Sequence, residues 1–456
     1  MNKIENTLNR SIYTACVPYK DTGYYLLHCF LTGKFALLTE KQKEIFENPS
    51  KHLDSKIIPT LLEYGFLSKD DEYSILIDKL KRSNPRIPQN KILSLEICPT
   101  LNCNLDCRYC FEAGKRHTGS MDDETADAIV EFIEKRIKET KANRLAVKWF
   151  GGEPTLEMEM IKKLSDKLIT IANKYHIPYS AYIQTNAYLL TQEIIDVLQD
   201  KEVKTIEITI DGNKDTHDKL RVLNGGQGTY EKIMKNLSNI RTNIKIEIRC
   251  NLHKDNLHAF NDLMNDVDKL KSITHNNITC TPRIIRIKDN LPIEGSFLKN
   301  SVFTNEEFLE QFHKLYSLNN IENPTYIDID YFTGKMKSPC KACNGTGFTI
   351  DERGNIYSCS MEVGNIKSVI GNVKSYDNDA SFINTNGYEF YRNSFCTDRE
   401  KCKNCVILPI CLGRCPRTWN EYYDCEWIKG NLPETMIKVY DLLKEKMIKK
   451  WLLTSY

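Results

Sequence analysis

The sequence predicts an α/β fold whose centre is a partial (β/α)6 barrel of parallel strands, with a smaller segment on either side. Three observations predict it. From Ile92 to about Ile287, strand-like runs alternate six times with helical runs. A short hairpin-and-helix pattern precedes that stretch. Of the seventeen cysteines among the 456 residues, twelve fall in one tight three-cysteine loop or in one C-terminal region.

In chain order, Tyr24 to Phe30 and Lys34 to Leu38 read as two strands with Thr32-Gly33 in the turn. Thr39 with Gln42 forms a capping-box start for a helix through Phe46. A second helix, about Ile57 to Tyr64, ends at Gly65 as a C′ glycine. Asn84-Pro-Arg-Ile-Pro-Gln, with two prolines, reads as a linker. The barrel strands are Ile92–Ile97, Arg144–Phe150, Tyr179–Gln184, Thr205–Ile210, Ile244–Asn251 and Thr279–Ile287. Amphipathic runs such as Asp123–Thr140 and Glu157–Tyr175 lie between them. Sites in such barrels lie at the carboxyl ends of the strands. About Glu306 to Leu318 reads as a bridging helix, and Glu434 to about Leu452 as a terminal one. The expected organisation is 1–86, 87–300, a bridge over 301–335, a cysteine-rich domain over 336–430, and a C-terminal helix over 431–456.

Apolar content of 41% and charged content of 27% are those of an ordinary globular protein. A net charge of +2 with no basic tract gives no electrostatic case for nucleic acid. No uncharged apolar run approaches the ~20 residues needed to span a bilayer, so no membrane role is expected. The start, MNKIENTLNRSIY, lacks an apolar signal-type core. Cysteine abundance without an export signal points to metal binding rather than disulfides, and to a cytoplasmic location.

Cys103, Cys107 and Cys110 follow the first strand at the spacing C-x3-C-x2-C, with Tyr109 between the last two. Three thiolates at this spacing can hold three irons of a cubane cluster and leave the fourth open for a ligand. A structural zinc site wants four closed ligands, as two separated pairs. The second strand runs into Gly151-Gly152-Glu153-Pro154, where glycines let backbone approach a ligand closely. The fourth ends in Thr209-Ile-Asp211-Gly212, followed by His217-Asp218 and Arg221, a hydroxyl and a guanidinium suited to a carboxylate. Thr185-Asn186-Ala on the third strand and Arg249 and Asn251 on the fifth are weaker pointers. Further on come Cys340-x2-Cys343, Gly354-x4-Cys359, Cys402-x2-Cys405-x5-Cys411-x3-Cys415 and Cys425. Eight cysteines suit two four-thiolate clusters or two zinc ribbons, and spacing alone does not separate them.

The three-cysteine loop resembles the signature of the radical S-adenosylmethionine (SAM) enzymes, C-x3-C-x-aromatic-C. In that family the barrel is TIM-like, the open iron of a [4Fe-4S] cluster chelates SAM, and one electron releases a 5′-deoxyadenosyl radical that abstracts hydrogen. The resemblance extends to G-G-E-P, which in relatives contacts the SAM amino group, and to S-x-D-G…H-D-x-x-R, here with Thr209 for Ser. It assigns Tyr109, Gly151, Gly152, Glu153, Pro154, Thr209 and Arg221 to SAM. Relatives often carry T-N-G and R-x-N at the weaker pointers. The C-terminal cysteine string resembles the SPASM domain. By that resemblance Cys340, Cys343, Cys359 and Cys415 would bind one auxiliary cluster, and Cys402, Cys405, Cys411 and Cys425 the other, making three [4Fe-4S] clusters in all. Relatives vary in having Cys340. Cys98 and Cys250 are expected to be buried small hydrophobes. The N-terminal pattern, strand, T-G-K, strand, L-T, helix, L-L-E-x-G-F, resembles the winged-helix leader-recognition domain of enzymes that modify ribosomally made peptides. A plain cap on the barrel is the alternative.

The resemblance implies an oxidoreductase maturing a ribosomal precursor peptide (a RiPP maturase) by a thioether or C–C cross-link. The leader would bind at the N-terminal segment, and flavodoxin or ferredoxin would supply the electron. An anaerobic sulfatase-maturating enzyme, forming formylglycine, is the alternative within enzymes. Sulfatase maturases usually place an aspartate after the cysteine of G-x4-C, and this chain has Ser360 there. A cluster-bearing electron-transfer protein is the rival from another class. G-G-E-P and Thr209…Arg221 argue against it, because electron transfer needs no SAM cradle.

Overall fold

The structure is a computed structural model; it describes residues 8–82, 91–112, 114, 119–284, 301, 303, 307, 341–382, 385–393, 400–412 and 432–454. The proline linker, all of the helix expected over 306–318 except Glu307, and Cys340, Cys396, Cys415 and Cys425 lie outside these. The chain divides into two compact units: 1–89 with 322–343 and 393–456, and 90–321 with 344–392.

The first unit opens with β1 (Asn9–Arg10), β2 (Thr14–Tyr19), β3 (Tyr24–Cys29) and β4 (Lys34–Leu38). Strands β2, β3 and β4 form one antiparallel sheet. The sequence reading has only two of its strands, because β2, TACVPY, carries a proline and no alternation. Its proline is tolerated at a sheet edge, where no ladder partner needs the missing N–H. Helix α1 (Glu40–Glu47) starts at the expected capping box of Thr39 and Gln42. Helix α2 (Ile58–Glu63), β5 (Leu67–Ser68), paired with β1, and α3 (Glu72–Arg82) follow. Gly65 sits at φ +77°, where a left-handed turn ends α2.

The second unit carries the expected parallel strands: β6 (Ile92–Ile97), then β7 (Leu105–Cys107), α4 (Asp123–Thr140), β8 (Arg144–Trp149), α5 (Met158–Lys174) and β9 (Tyr179–Thr185). Next come α6 (Gln192–Asp200), β10 (Val203–Thr209), α7 (Lys214–Leu220), β11 (Arg221–Leu223), α8 (Tyr230–Asn239), β12 (Lys245–Leu252), α9 (Ala259–Thr274) and β13 (Ile278–Ile284). Asp122 caps α4, its carboxylate accepting from Thr125 N at 2.7 Å. Strands β6, β8, β9, β10, β12 and β13 lie side by side in chain order, all parallel.

The sheet does not stop at these strands. β14 (Gly347–Ile350) pairs parallel to β6, and β15 (Asn355–Tyr357) and β16 (Gly371–Asn372) extend it antiparallel, giving nine strands. Residues expected in a separate C-terminal domain therefore complete the barrel's own sheet. Helix α10 (Thr385–Asn393) ends this unit. Back in the first unit, α11 (Glu400–Lys403), α12 (Leu408–Cys411) and α13 (Leu432–Thr454) close the chain. Leu408 and Leu412 share a core with Leu27, Phe46 and Phe66, and Met436 and Val439 pack with Leu26 and Phe30. The N-terminal sheet and the C-terminal helices are one folded body.

The parallel strands alternate by face. Leu93, Leu95, Val147, Trp149, Ile183, Ile206, Ile208 and Ile248 are buried in the main core. Between them Glu96, Lys148, Tyr182, Gln184, Glu207 and Arg249 point the other way, onto a polar face. Parallel sheets packed on both sides read as continuous apolar runs. This one has an apolar and a polar face, which leaves room for a polar cavity.

Candidate active site

The cavity, about 450 Å³, lies at the carboxyl ends of the strands, in the size range of small-molecule sites. Cys103, Cys107 and Cys110 line it, with Tyr109, Gly151, Gly152, Glu153, Thr209 and Arg221. Of the residues that the sequence assigns to SAM, Pro154 alone is not in the wall. It is buried at the start of a 3-10 turn that Glu153 caps.

The cysteine loop is fixed from two sides. β7 pairs antiparallel with β11, so Cys107 stands opposite Arg221. Across the loop, Gly152 N donates to Thr100 O at 3.3 Å and Glu153 N to Asn102 O at 2.8 Å. A β-carbon on Gly151 would come 2.3 Å from Thr100 O, and one on Gly152 would come 2.1 Å from Asn102 O. The glycines thus let the second strand's end lie directly against the cluster loop, and Gly151 also needs its φ of +115°.

Glu153, 1% exposed, binds protein rather than an open cavity. Its Oε1 accepts from Thr155 N (3.0 Å), Thr155 Oγ1 (2.6 Å) and Thr185 Oγ1 (2.6 Å), and its Oε2 from Asn186 N (2.7 Å). Burial pushes its pKa up, while the bonds from Asn186, Thr155 and Thr185 favour the charged form. The carboxylate therefore locks the ends of β8 and β9 together. Asn186 Nδ2, positioned by this lock, donates to Asn104 Oδ1 inside the cysteine loop at 2.8 Å. Ala187, where relatives often have glycine, takes φ +61°, and Asn236 holds its carbonyl at 3.0 Å.

A second network centres on Tyr109. Its hydroxyl donates to Asp211 Oδ2 and accepts from Arg221 Nη1 (2.9 Å) and Asn251 Nδ2 (3.1 Å). Asn251 N donates to Asp211 Oδ1 (2.9 Å), and Arg249 Nε donates to Asn251 Oδ1 (2.9 Å). Burial raises the pKa of Asp211 and Tyr109, with Arg221 opposing both. Although burial works against charge on Arg221, Cys107, Tyr109 and Asp211 hold it firmly protonated. His217 Nδ1 accepts from Asp211 N (3.2 Å) and its Nε2–H meets Thr229 Oγ1 (3.0 Å), which donates to Arg221 O (2.7 Å). Burial lowers the His217 pKa to about 3, so it is a neutral spacer. Asp218 accepts from Thr229 N and Tyr230 N at the start of α8. The H-D-x-x-R residues thus position Asp211 and Arg221.

The wall also holds residues outside the sequence assignment: Phe111, Glu112, Lys148, Phe150, Gln184, Ser360 and Met361. Lys148 and Gln184 were legible in principle, because they occupy the polar alternate positions of otherwise apolar strands. Ser360, the residue after the cysteine of G-x4-C, and Met361 reach the cavity through the β15 continuation.

The residues fit an iron–sulfur cluster with SAM. Three thiols face one cavity, glycines cradle their loop, and the buried Arg221 Nε has no hydrogen-bond partner. Among the described residues no group of three His, Cys, Asp or Glu side chains converges on a single ion point. A cubane cluster places each thiolate on a different iron and needs no such convergence. Of the auxiliary candidates, Cys343 is buried, and Cys359, Cys402, Cys405 and Cys411 are half-buried. Cys405 N donates to Cys402 O at 2.9 Å. Cys98 and Cys250 are fully buried among apolar side chains. Among the described residues no helix is long and apolar enough to cross a membrane.

Residues 97–267 match the Radical SAM superfamily, and the chain thus carries a radical SAM domain. Two relatives are similar to it over most of its length. It is 25% identical over 383 residues to the cysteine-type anaerobic sulfatase-maturating enzyme of Clostridium novyi, covering 76% of this chain and 96% of that protein. It is 24% identical over 449 residues to the radical SAM cyclopropyl synthase TigE of Paramaledivibacter caminithermalis, covering 89% of each. Among solved structures, AdoMet-bound anSMEcpe superposes with a TM-score of 0.57 at 19% identity, over 77% of this chain and all of that one. Streptococcus suis SuiB superposes with a TM-score of 0.50 at 16% identity, over 89% and 95%. These two likenesses establish the fold.

Proposed function

We propose that the protein is a radical SAM peptide maturase that cross-links a ribosomally made precursor peptide. The observation that carries the reading is the joining of Cys103, Cys107 and Cys110 to Arg221 and Tyr109 in one polar cavity. Cys103, Cys107 and Cys110 would hold the cluster, and Arg221 and Thr209 would take the SAM carboxylate. When bound, these cofactors supply a 5′-deoxyadenosyl radical that removes a substrate hydrogen atom. The protein's part is to hold Arg221 charged, to fix the loop through Glu153 and Gly152, and to enclose the reacting atoms. Cys340, Cys343, Cys359 and Cys415, and Cys402, Cys405, Cys411 and Cys425, would carry two auxiliary clusters in a SPASM-like region, one of which takes the electron left after the bond forms. The edges of the sheet β2–β3–β4 offer backbone groups to an added leader strand. Flavodoxin or ferredoxin would deliver the electron in the cytoplasm.

SuiB has been solved with the precursor peptide SuiA, which supports a peptide substrate here. Formylglycine formation is the second reading, favoured by the likeness to sulfatase-maturating enzymes. Against it, the cavity position after Cys359 is Ser360, followed by Met361. A hydroxyl is too weak a base to replace a carboxylate unaided. Mass spectrometry of two incubations separates the readings: a peptide encoded beside the gene, and a Cys-type sulfatase-motif peptide. Loss of two hydrogens from the first, with the second unchanged, is expected. An aldehyde on the sulfatase peptide would establish the alternative.

A further inference from the structure

Asn104 stands in the cysteine loop between Cys103 and Cys107, and the sequence assigns it no role. The structure places it at the end of a chain of hydrogen bonds whose direction a backbone group decides. Tyr188 N–H can only donate, and it donates to Asn186 Oδ1 at 3.0 Å. The Asn186 amide nitrogen must therefore face the other way, where it donates to Asn104 Oδ1 at 2.8 Å. That bond in turn fixes Asn104, with its oxygen on Asn186 and its nitrogen turned away. Glu153 anchors the chain, because its Oε2 accepts from Asn186 N at 2.7 Å.

Asn104 Nδ2 is closed off from solvent and has no hydrogen-bond partner among the described residues. A buried amide donor without a partner is costly, and folded proteins rarely keep one. The carboxamide lies beside Cys103. Cys103 Sγ is 4.0 Å from Asn104 Oδ1 and 3.9 Å from Asn186 Nδ2, and Leu105 N donates to it at 3.5 Å. A thiol can offer its proton to the Asn104 oxygen, but a thiolate bound to iron can only accept. Donors at this corner of the loop therefore suit the charged, metal-bound cysteine. The loop backbone here is held as well, with Asn224 Nδ2 donating to Cys103 O at 2.9 Å and Asn224 N to Asn104 O at 3.1 Å.

We infer that Asn104 Nδ2 donates a hydrogen bond to a sulfur of the cluster at its Cys103 corner, and so sets the potential at which that cluster is reduced. The inference rests on the proposed placing of the cluster on Cys103, Cys107 and Cys110. Adding an electron makes the cluster more negative, so a fixed donor on its sulfur favours the reduced form and raises the potential. Glu153, Asn186 and Asn104 then act as one relay, through which the end of β8 holds a donor against the cluster.

The test uses the reconstituted full-length protein and follows by EPR the reduced-cluster signal that changes on adding SAM, which distinguishes this cluster from any other. Asn104→Leu keeps the size of the side chain and removes the donor. It is expected to keep the cluster's irons and to lower the equilibrium constant of its one-electron reduction about tenfold, a shift of ~59 mV. Wild-type protein carrying asparagine labelled with heavy nitrogen in its carboxamide should show a weak nuclear coupling to the reduced cluster, diminished in Asn104→Leu. An unchanged potential in Asn104→Leu would overturn the inference. So would the absence of any such coupling in the wild type, a result that needs no variant. Loss of the cluster's irons in Asn104→Leu would make the side chain a scaffold and overturn the tuning role too. If no signal of the wild type responds to SAM, the placing of the cluster itself is defeated. A SAM-responsive signal with an unchanged potential in the variant defeats only the role of Asn104.

Discussion

A methyl group at Gly152 would meet the Asn102 carbonyl at 2.1 Å, and that neighbour is backbone, so the cysteine loop itself must move. Gly152→Ala is therefore expected to leave the sheet folded and to lose one cluster's iron together with SAM binding. Iron analysis and a SAM titration check it, and wild-type SAM affinity in the variant would contradict it. His28 and His217 make a second residue-level prediction. Burial holds both near pKa 3 in the folded chain, against about 6.5 unfolded. The unfolded state binds the protons first, so their contribution to stability is complete above pH ~6.5 and is lost as pH falls toward 3. The slope approaches ~1.4 kcal/mol per pH unit for each histidine. Urea unfolding of the metal-free chain as a function of pH should show it, and His217→Asn should reduce the slope by up to ~1.4 kcal/mol per pH unit. An unchanged slope would mean that His217 is charged in the folded protein.

At the scale of elements, the sequence reading and the structure agree where local physics decides. Helix α4 spans Asp123–Thr140 as expected, because an aspartate cap, a long apolar stripe and a left-handed Lys141 fix both its ends. The first five parallel strands shift by only a residue or two, since their apolar faces have no alternative partner. The expected end of the sixth, 285–287, lies outside the described residues. β7 and β11 were not legible, because three residues carry no periodicity and pair only through a long-range contact. β14 was likewise hidden, since GFTI could pair anywhere, and its place beside β6 is set by packing. One side chain secures that packing: Arg136, 3% exposed, donates to Tyr376 Oη and Glu139 at 2.9 Å each and lies over the Phe348 ring. Arg136→Met should cost about 3 kcal/mol, as loss of a buried, bonded charge does. The cost should appear in thermal unfolding, and a loss below ~1 kcal/mol would show that the apolar contacts of Phe348 suffice.

Across the whole molecule, motifs named most of the cavity wall, because cysteines and glycines at fixed spacing are demanded by chemistry. Lys148 and Gln184 went unassigned although they alternate with apolar residues along their strands, since that these polar positions line one cavity emerges only when the strands are aligned. The N-terminal segment read as separable, yet Leu27, Phe46 and Phe66 share a core with Leu408 and Leu412. Removing residues 1–86 would uncover that apolar surface, so leader binding is better probed by point changes on the edge strands than by truncation. Three clusters at four irons each predict about twelve irons per reconstituted chain. Changing Cys103, Cys107 and Cys110 together to alanine should remove about a third of them and all SAM cleavage. Iron near four per chain would leave the C-terminal cysteines without clusters.

The central claim is that this cavity takes a hydrogen atom from a peptide. The most direct measurement supplies a uniformly deuterated precursor peptide, encoded beside the gene, to the reconstituted protein with SAM and dithionite, and weighs the 5′-deoxyadenosine formed. The account predicts 5′-deoxyadenosine heavier by one deuterium, in step with loss of deuterium from the peptide. Unlabelled 5′-deoxyadenosine beside an unmodified peptide would contradict it.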